Sequence, residues 1–363
     1  MACAFSSYGQ DLFNDVIPVI HSGGYKAQYR IGNDGSRNLW IINADLSPAV
    51  LKVYCAGPPV SFVFYTDVDS IAFYLKAGEI REFYVLPPDG KFALTEIQAV
   101  LFSPIFFNSA KKKPAYRFRY ETDSNNFFLQ KLKSECGLEK LLEGSKTEKE
   151  KALKVMNWVH RQWQHEGNDV PKKTDAFSLL REAKEGKNFG SEEYAIVTVA
   201  CLNALGMPAR VLGLKTKEAA TDASDARHIL CEAFMKDYNK WVLLDSQFDV
   251  MPVMNNIPLN AVEFQNAIVN QFEDLEIQSL SAPSKGSYIN RIFPFLYYFQ
   301  VKLDNREADN PVSPKVEGKG SLLLVPKGEK MPPAFRKKFP GAGYLYTNSL
   351  ADFYASPYSK ILK

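Results

Sequence analysis

Three short segments carry residue types that can make and break amides. The first, Gly190-Ser191-Glu192-Glu193-Tyr194-Ala195, reads as a helix start with a hydroxyl in its first turn. The second, Arg227-His228-Ile229-Leu230, and the third, Trp241-Val242-Leu243-Leu244-Asp245, read as neighbouring strands. A nucleophile at a helix N-terminus sits beside free backbone N–H groups and the positive end of the dipole, which favour a developing oxyanion. Histidine supplies the base, and aspartate fixes its tautomer. His228 and Asp245 share a sheet face only if the hairpin pairs residues whose numbers sum to an odd value. A four-residue loop, Met235–Tyr238, would set them directly opposite, and a two-residue loop, Asp237-Tyr238, diagonally.

Each residue also has a plainer use. Serine is a favoured helix N-cap, so Ser191 could simply cap. His228 could be a hydrogen-bonded core histidine, and Asp245 a turn residue closing a strand. Trp163 could offer its indole N–H to an oxyanion, although its helical spacing suits the core as well. His165, just past the end of the same helix, could line the cleft and contact substrate or lie in a solvated loop. His160 and His165 are about 140° apart on a helix, so they do not chelate one metal, and no HExxH stretch exists. Asp67 and Asp69 lack the glycine-centred ligand loop of a calcium site.

Further residues surround the three segments. Phe189 precedes the first, Leu202-Asn203-Ala204-Leu205-Gly206-Met207-Pro208-Ala209-Arg210 follows it, and Lys240 opens the third. As a set, these resemble the transglutaminase-like superfamily, a papain-like Cys-His-Asp fold, over roughly Thr147 to Glu263. The Leu-Gly-x-Pro-Ala-Arg turn is the most telling part. The resemblance implies helices packed on an antiparallel sheet, and a site acting on peptide or protein amides through an acyl-enzyme. It also implies bacterial members that are mostly peptidases, amidases or uncharacterised proteins, with few true cross-linkers. The resemblance implies no metal and no organic cofactor.

One departure is central: the family pattern has cysteine where Ser191 stands. Cys201 lies about three turns further along the helix, and Cys231 points to the opposite strand face from His228, so neither replaces it. A cysteine here would be a thiolate ion-paired with His⁺, whereas a serine hydroxyl must lose its proton in concert with attack. The site is therefore expected to be inactive as written. Two other readings stand beside this one: a pseudoenzyme whose cleft binds a peptide or glycan, and an active serine-type amidase. A cysteine enzyme whose nucleophile has been exchanged would give the same sequence.

These segments need a scaffold, and the pattern supplies an α+β one. Residues 1–110 read as a β-sandwich-like module, with runs at Tyr25–Ile31, Leu39–Ile42, Val50–Cys55, Val60–Tyr65, Ser70–Leu75 and Glu82–Leu86. Lys111-Lys112-Lys113-Pro114 reads as a linker or solvated loop. Residues 120–363 read as the transglutaminase-like domain. Its first helix opens at a capping box, Ser145–Glu148 or Thr147–Glu150, and carries Ala152, Val155, Met156, Val159 and Trp163 on one face. A second helix is expected over Ala176–Ala183, and a third from Ser191 to Leu205 with Ala195, Val199 and Leu202 buried. Strands follow at Ala209–Leu214, His228–Met235 and Trp241–Asp245. Phe295–Leu303 and Ser321–Val325 complete the sheet.

Composition narrows the partners. The 363 residues are 46% hydrophobic, which excludes wholesale disorder. With 44 basic and 41 acidic residues, the net charge of +3 gives no field to hold nucleic acid or an anionic membrane. No run approaches the roughly 18 apolar residues of a membrane helix. The five cysteines form no CxxC pair, so neither a disulfide framework nor a zinc site is expected. The first residues lack a signal peptide's apolar run, which fits a cytoplasmic protein or an exported one whose leader is gone.

Overall fold

The computed structural model describes residues 11–14, 16–32, 37–46, 48–56, 58–121, 126–164, 167–220, 227–281, 284–306, 316–329 and 343–358. The chain divides into two compact units. One comprises Met1–Ser103 with Ser284–Arg291, the other Pro104–Pro283 with Ile292–Lys363.

The first unit contains β1 (Asp11–Phe13), β2 (Ile17–His21), β3 (Lys26–Ile31), β4 (Asn38–Ile41), β5 (Ala49–Cys55), β6 (Val60–Tyr65), β7 (Ser70–Leu75), β8 (Ile80–Leu86) and β9 (Ala93–Leu101). They make a five-stranded sheet, β1-β2-β8-β9-β5, and a four-stranded one, β4-β3-β6-β7. Val53, Phe83 and Ile97 of the first sheet share one buried cluster with Phe62, Phe64 and Leu75 of the second. The rings of Phe64 and Phe83 meet edge to face at 5.0 Å. This is a sandwich core, because each strand turns alternate side chains inward. β9 alternates buried and half-buried residues from Ala93 to Val100, yet the sequence reading passed over it. Its Ala, Glu and Gln are weak strand formers, and burial on one face overrides that preference. β1 and β2 were also passed over, and Pro18 within β2 disguises that strand.

Asp67 and Asp69 have local partners. Asp67 Oδ1 accepts the Gly23 N–H at 2.7 Å, and Asp69 Oδ1 accepts the Ser70 N–H at 2.7 Å. The approach is so close that a Cβ at residue 23 would lie 2.3 Å from Asp67 Oδ2, so a larger residue there would displace the Asp67 carboxylate. Segment 284–291 joins this unit through α-helical residues treated below.

The second unit opens with β10 (Arg119–Tyr120), α1 (Phe127–Glu135), α2 (Leu138–Leu141), α3 (Glu148–His160), α4 (Ala176–Lys184) and α5 (Ser191–Ala204). There follow β11 (Ala209–Lys215), β12 (Arg227–Met235), β13 (Lys240–Leu244), β14 (Met251–Met254), β15 (Ile257–Pro258), α6 (Ala261–Asn270) and β16 (Leu275–Gln278). After α7 (Lys285–Ile292), most of which belongs to the first unit, come β17 (Tyr298–Lys302), β18 (Asp304–Asn305), β19 (Ser321–Leu324) and β20 (Tyr344–Thr347). Six strands form the main sheet in the order β13-β12-β11-β17-β19-β20, antiparallel except for the β19–β20 pair. The fold is thus α+β, with helices packed on this sheet. Val155 and Val159 of α3, Leu179 of α4 and Ala200 of α5 share a core with Cys231, Ala233, Val242 and Leu244 of the sheet. α5 is buried almost all round rather than on the single face expected, and its residues are apolar enough to allow it.

Lys111–Lys113 lies in a stretch anchored within the second unit. The Lys112 ammonium sits 2.8 Å from Asp352 Oδ2, and the Ala115 N–H donates to Asp352 Oδ1 at 2.8 Å.

Of the two overlapping capping boxes, the chain uses Thr147–Glu150. The Thr147 hydroxyl accepts the Glu150 N–H, and the Glu150 carboxylate accepts the Thr147 N–H. Thr147→Ala is expected to cost about 1 kcal/mol, read as a lower urea midpoint at unchanged slope. A loss of only a few tenths would mean that the Glu148 N–H bond to Asp237, at 3.0 Å, already holds this helix start.

Candidate active site

Ser191 is the first helical residue of α5, not its cap. Gly190 occupies the cap position in an extended conformation, so the hydroxyl is free of capping duty. Instead Ser191 Oγ accepts the Ile229 N–H at 3.2 Å. That bond sets the Ser191 side chain against the residue after His228. His228 is the second residue of β12, nearer the strand's start than its middle, and pairs with Leu214 of β11. Asp245 lies just beyond β13, where it exchanges backbone hydrogen bonds of 2.8 and 2.9 Å with Val250.

The β12–β13 register is the diagonal one: Met235 pairs with Lys240 and Cys231 with Leu244. It puts His228 and Asp245 on one sheet face. His228 Nε2 is 2.8 Å from Asp245 Oδ2. The other ring nitrogen, Nδ1, has no hydrogen bond among the described residues. Asp245 Oδ1 accepts the N–H groups of Gln247 at 3.1 Å and Phe248 at 3.4 Å. Asp245 therefore acts as turn residue and histidine partner at once, one carboxylate oxygen for each.

Burial shapes the electrostatics. Asp245 is 1% exposed and His228 9%, so their bond is shielded from solvent competition. Burial first, and the Asp245 charge second, push the Tyr194 hydroxyl and the Cys231 thiol upward. Cys231 and Cys201 are fully buried, and the Cys231 thiol donates to the Leu244 carbonyl. Both stay in the core. Burial also raises the Glu193 carboxyl above its ordinary range. Glu192 and Arg227, next in sequence to Ser191 and His228, form an ion pair at 3.3 Å. The half-buried rings of Phe248 and Phe295 border the imidazole at 5.9 and 6.1 Å. Neither Phe stood out in the sequence, because they lie outside every quoted motif.

Trp163 is 8% exposed, and its ring lies 4.3 Å from Tyr194 and 5.5 Å from Phe189. Its carbonyl accepts the Tyr194 hydroxyl at 2.9 Å. Trp163 is thus a core residue, but not through helical spacing as expected: α3 ends at His160, and Trp163 lies in the turn beyond it. Its indole Nε1 is nevertheless buried without a partner among the described residues. His165 lies outside the described residues. No group of three or more His, Cys, Asp or Glu among the described residues could hold a metal ion, and no described helix is long and apolar enough to cross a membrane.

The arginine of the telling turn belongs to the scaffold. Arg210 pairs across the sheet with Glu232, donating to it from Nε at 3.1 Å and from a terminal nitrogen at 2.7 Å, with both side chains fully buried. Its guanidinium also lies 4.2 Å from the Trp241 ring centre.

Residues 138–246, which run from α2 to just past Asp245, match the transglutaminase-like superfamily. No curated protein matches the chain. Among solved structures, one described as a TGase is 17% identical with a TM-score of 0.24, over 34% of this chain and 31% of its own length. The chain thus spans about a third of that protein. A "putative cysteine protease" from Cytophaga hutchinsonii is 14% identical with a TM-score of 0.27, over 71% of this chain and 82% of its own. A protein of the Rad4/XPC nucleotide excision repair complex is 17% identical with a TM-score of 0.24, over 49% of this chain and 42% of its own. The stretch from residue 138 to residue 246, which carries Ser191, His228 and Asp245, is transglutaminase-like.

Proposed function

We propose that Ser191, His228 and Asp245 make a site of the Cys-His-Asp type for peptide or protein amides, in which a hydroxyl occupies the thiol's place. As written, the cleft binds an amide but does not turn it over. The carrying observation is the buried 2.8 Å bond from His228 Nε2 to Asp245. It leaves Nδ1 as the nitrogen available to a nucleophile and orients the ring for it. One donor source favours an oxyanion nearby: the first-turn N–H groups of α5.

The binding reading is favoured over a serine-type amidase by the Ser191 hydroxyl. Its one hydrogen bond among the described residues is to the Ile229 N–H, not to His228. A serine must pass its proton to a base within hydrogen-bond reach, whereas a thiol beside His⁺ is ionised beforehand. The test is casein cleavage together with incorporation of a fluorescent amine into casein. The chain is expected to give no more product than its His228→Ala variant. Turnover above that variant would replace this reading with the serine-type amidase.

A further inference from the structure

The loop carrying Asp245 is gripped from outside by two helices. Asn157 and His160 lie three apart near the C-terminal end of α3, hence on one face. His160 Nδ1 is 3.2 Å from the Ser246 carbonyl and 3.1 Å from the Gln247 carbonyl. Carbonyls only accept, so Nδ1 carries the proton and donates to both. Asn157 Nδ2 donates to Asp249 Oδ2 at 3.0 Å. That same oxygen accepts the Ser279 hydroxyl at 2.7 Å and the N–H groups of Leu280 and Ser281 at 2.9 and 2.8 Å. From α5, the Thr198 hydroxyl donates to the Tyr194 carbonyl at 2.7 Å, which leaves its oxygen to accept the Ser246 hydroxyl at 2.6 Å.

These anchors matter because of how Asp245 is held. Its Oδ1 accepts the Gln247 and Phe248 N–H groups of its own loop, and its Oδ2 is the atom that meets His228. The Gln247 carbonyl held by His160 belongs to the residue whose N–H holds Asp245. A loop free to tilt would carry the carboxylate off the imidazole, since a hydrogen bond weakens steeply with angle and stretch. From this geometry we infer that His160 is a positioning residue for the His228–Asp245 pair: through its Nδ1–H it fixes the loop after β13, and so the tautomer and orientation of His228. The inference rests on the triad reading above, because it assigns His160 a role only through that pair. The His160 side chain carried no functional signal in the sequence beyond its failure as a metal ligand.

The chemistry suggests its own control. Asparagine Nδ2 sits the same number of bonds from Cβ as histidine Nδ1, so His160→Asn keeps a donor in place while His160→Leu removes it. The readout is the low-field proton NMR line of the His228 ring N–H held by Asp245, assigned by its absence in Asp245→Ala. The unmodified protein should show the line, His160→Leu should lose it, and His160→Asn should keep it, with near-ultraviolet circular dichroism unchanged in the last two. A line that persists in a folded His160→Leu would overturn the positioning role alone. Its loss in a folded His160→Asn would overturn it too, and that arm stands even if the leucine variant fails to fold. Absence of the line in the unmodified protein would instead remove the His228–Asp245 pair, and with it the triad reading.

Discussion

Ser191→Cys should introduce a thiol that iodoacetamide labels fast below neutral pH. A free cysteine titrates at about 8.5, but one beside His⁺ at a helix N-terminus falls to roughly 3.5–7.5. Both influences are at hand. Residue 191 opens α5, and its Oγ bonds the backbone next to His228, whose ring is already oriented by Asp245. Because the thiolate is the reactive form, a depressed thiol keeps its reactivity as the pH falls, and loses it only below its own lowered titration point. Cys3 lies outside the described residues and is replaced by serine throughout this experiment; among the described cysteines the background is favourable. Cys55, Cys201 and Cys231 are fully buried, and burial pushes the half-buried Cys136 thiol upward. His228→Ala added to Ser191→Cys should return the labelling curve to the ordinary thiol range, a rate loss at pH 6 of about tenfold or more. A curve that already follows an ordinary thiol, with or without His228, would sink the amide-processing ancestry of this pocket.

Arg210→Leu should cost about 3–5 kcal/mol, a large share of the roughly 5–15 kcal/mol that holds a domain folded. The cause is what remains behind. Glu232 would keep its Tyr354 hydroxyl and Ala261 N–H contacts, at 3.1 and 3.2 Å, but lose the only cation within its reach among the described residues. A fully buried carboxylate without its cation is the expensive state, and Arg210 also supplies stacking against Trp241 and a bond of 2.9 Å to the Phe353 carbonyl. The measurement is urea unfolding followed by tryptophan fluorescence, which reports mainly on the second unit because Trp158, Trp163 and Trp241 lie there. Removing both charges, Arg210→Met with Glu232→Leu, should recover much of the loss, as apolar replacement of a buried pair often does. A single variant within about 1 kcal/mol of the parent would show that water reaches the carboxylate.

Legibility in the sequence followed the range of the interactions. The α3 capping box, the start of α5 and the β12–β13 hairpin are set by neighbours in the chain, and local pattern sufficed for them. The hairpin's register was reduced to two alternatives, and the turn from Lys236 to Asn239, with Asn239 at positive φ, selects the diagonal one. β9 was missed because its partners, not its own residues, make it a strand. His160 and Asn157 were missed for a related reason. They sit in the helix read for its apolar face, and their partners lie about 90 residues away. Arg210 was seen as part of a motif, but nothing local says that an arginine there is fully buried, since that state needs Glu232 and the aromatic residues around it.

Segment 284–291 has a consequence for how the chain comes to be folded. Although most of the first unit is made by Met1–Ser103, the Tyr54 N–H donates to Asn290 Oδ1 at 2.7 Å, and Arg291 reaches the Asn38 side chain at 3.2 Å. The second unit is therefore largely an insertion into the first, in the sense of chain order. During synthesis the N-terminal sandwich cannot be finished when its own strands leave the ribosome; it waits for Asn290 and Arg291 until the whole β12–β13 hairpin has emerged. The usual N-to-C succession of domains is thereby inverted at its last step, and a fragment ending at residue 103 lacks the Asn290 and Arg291 bonds of the whole unit.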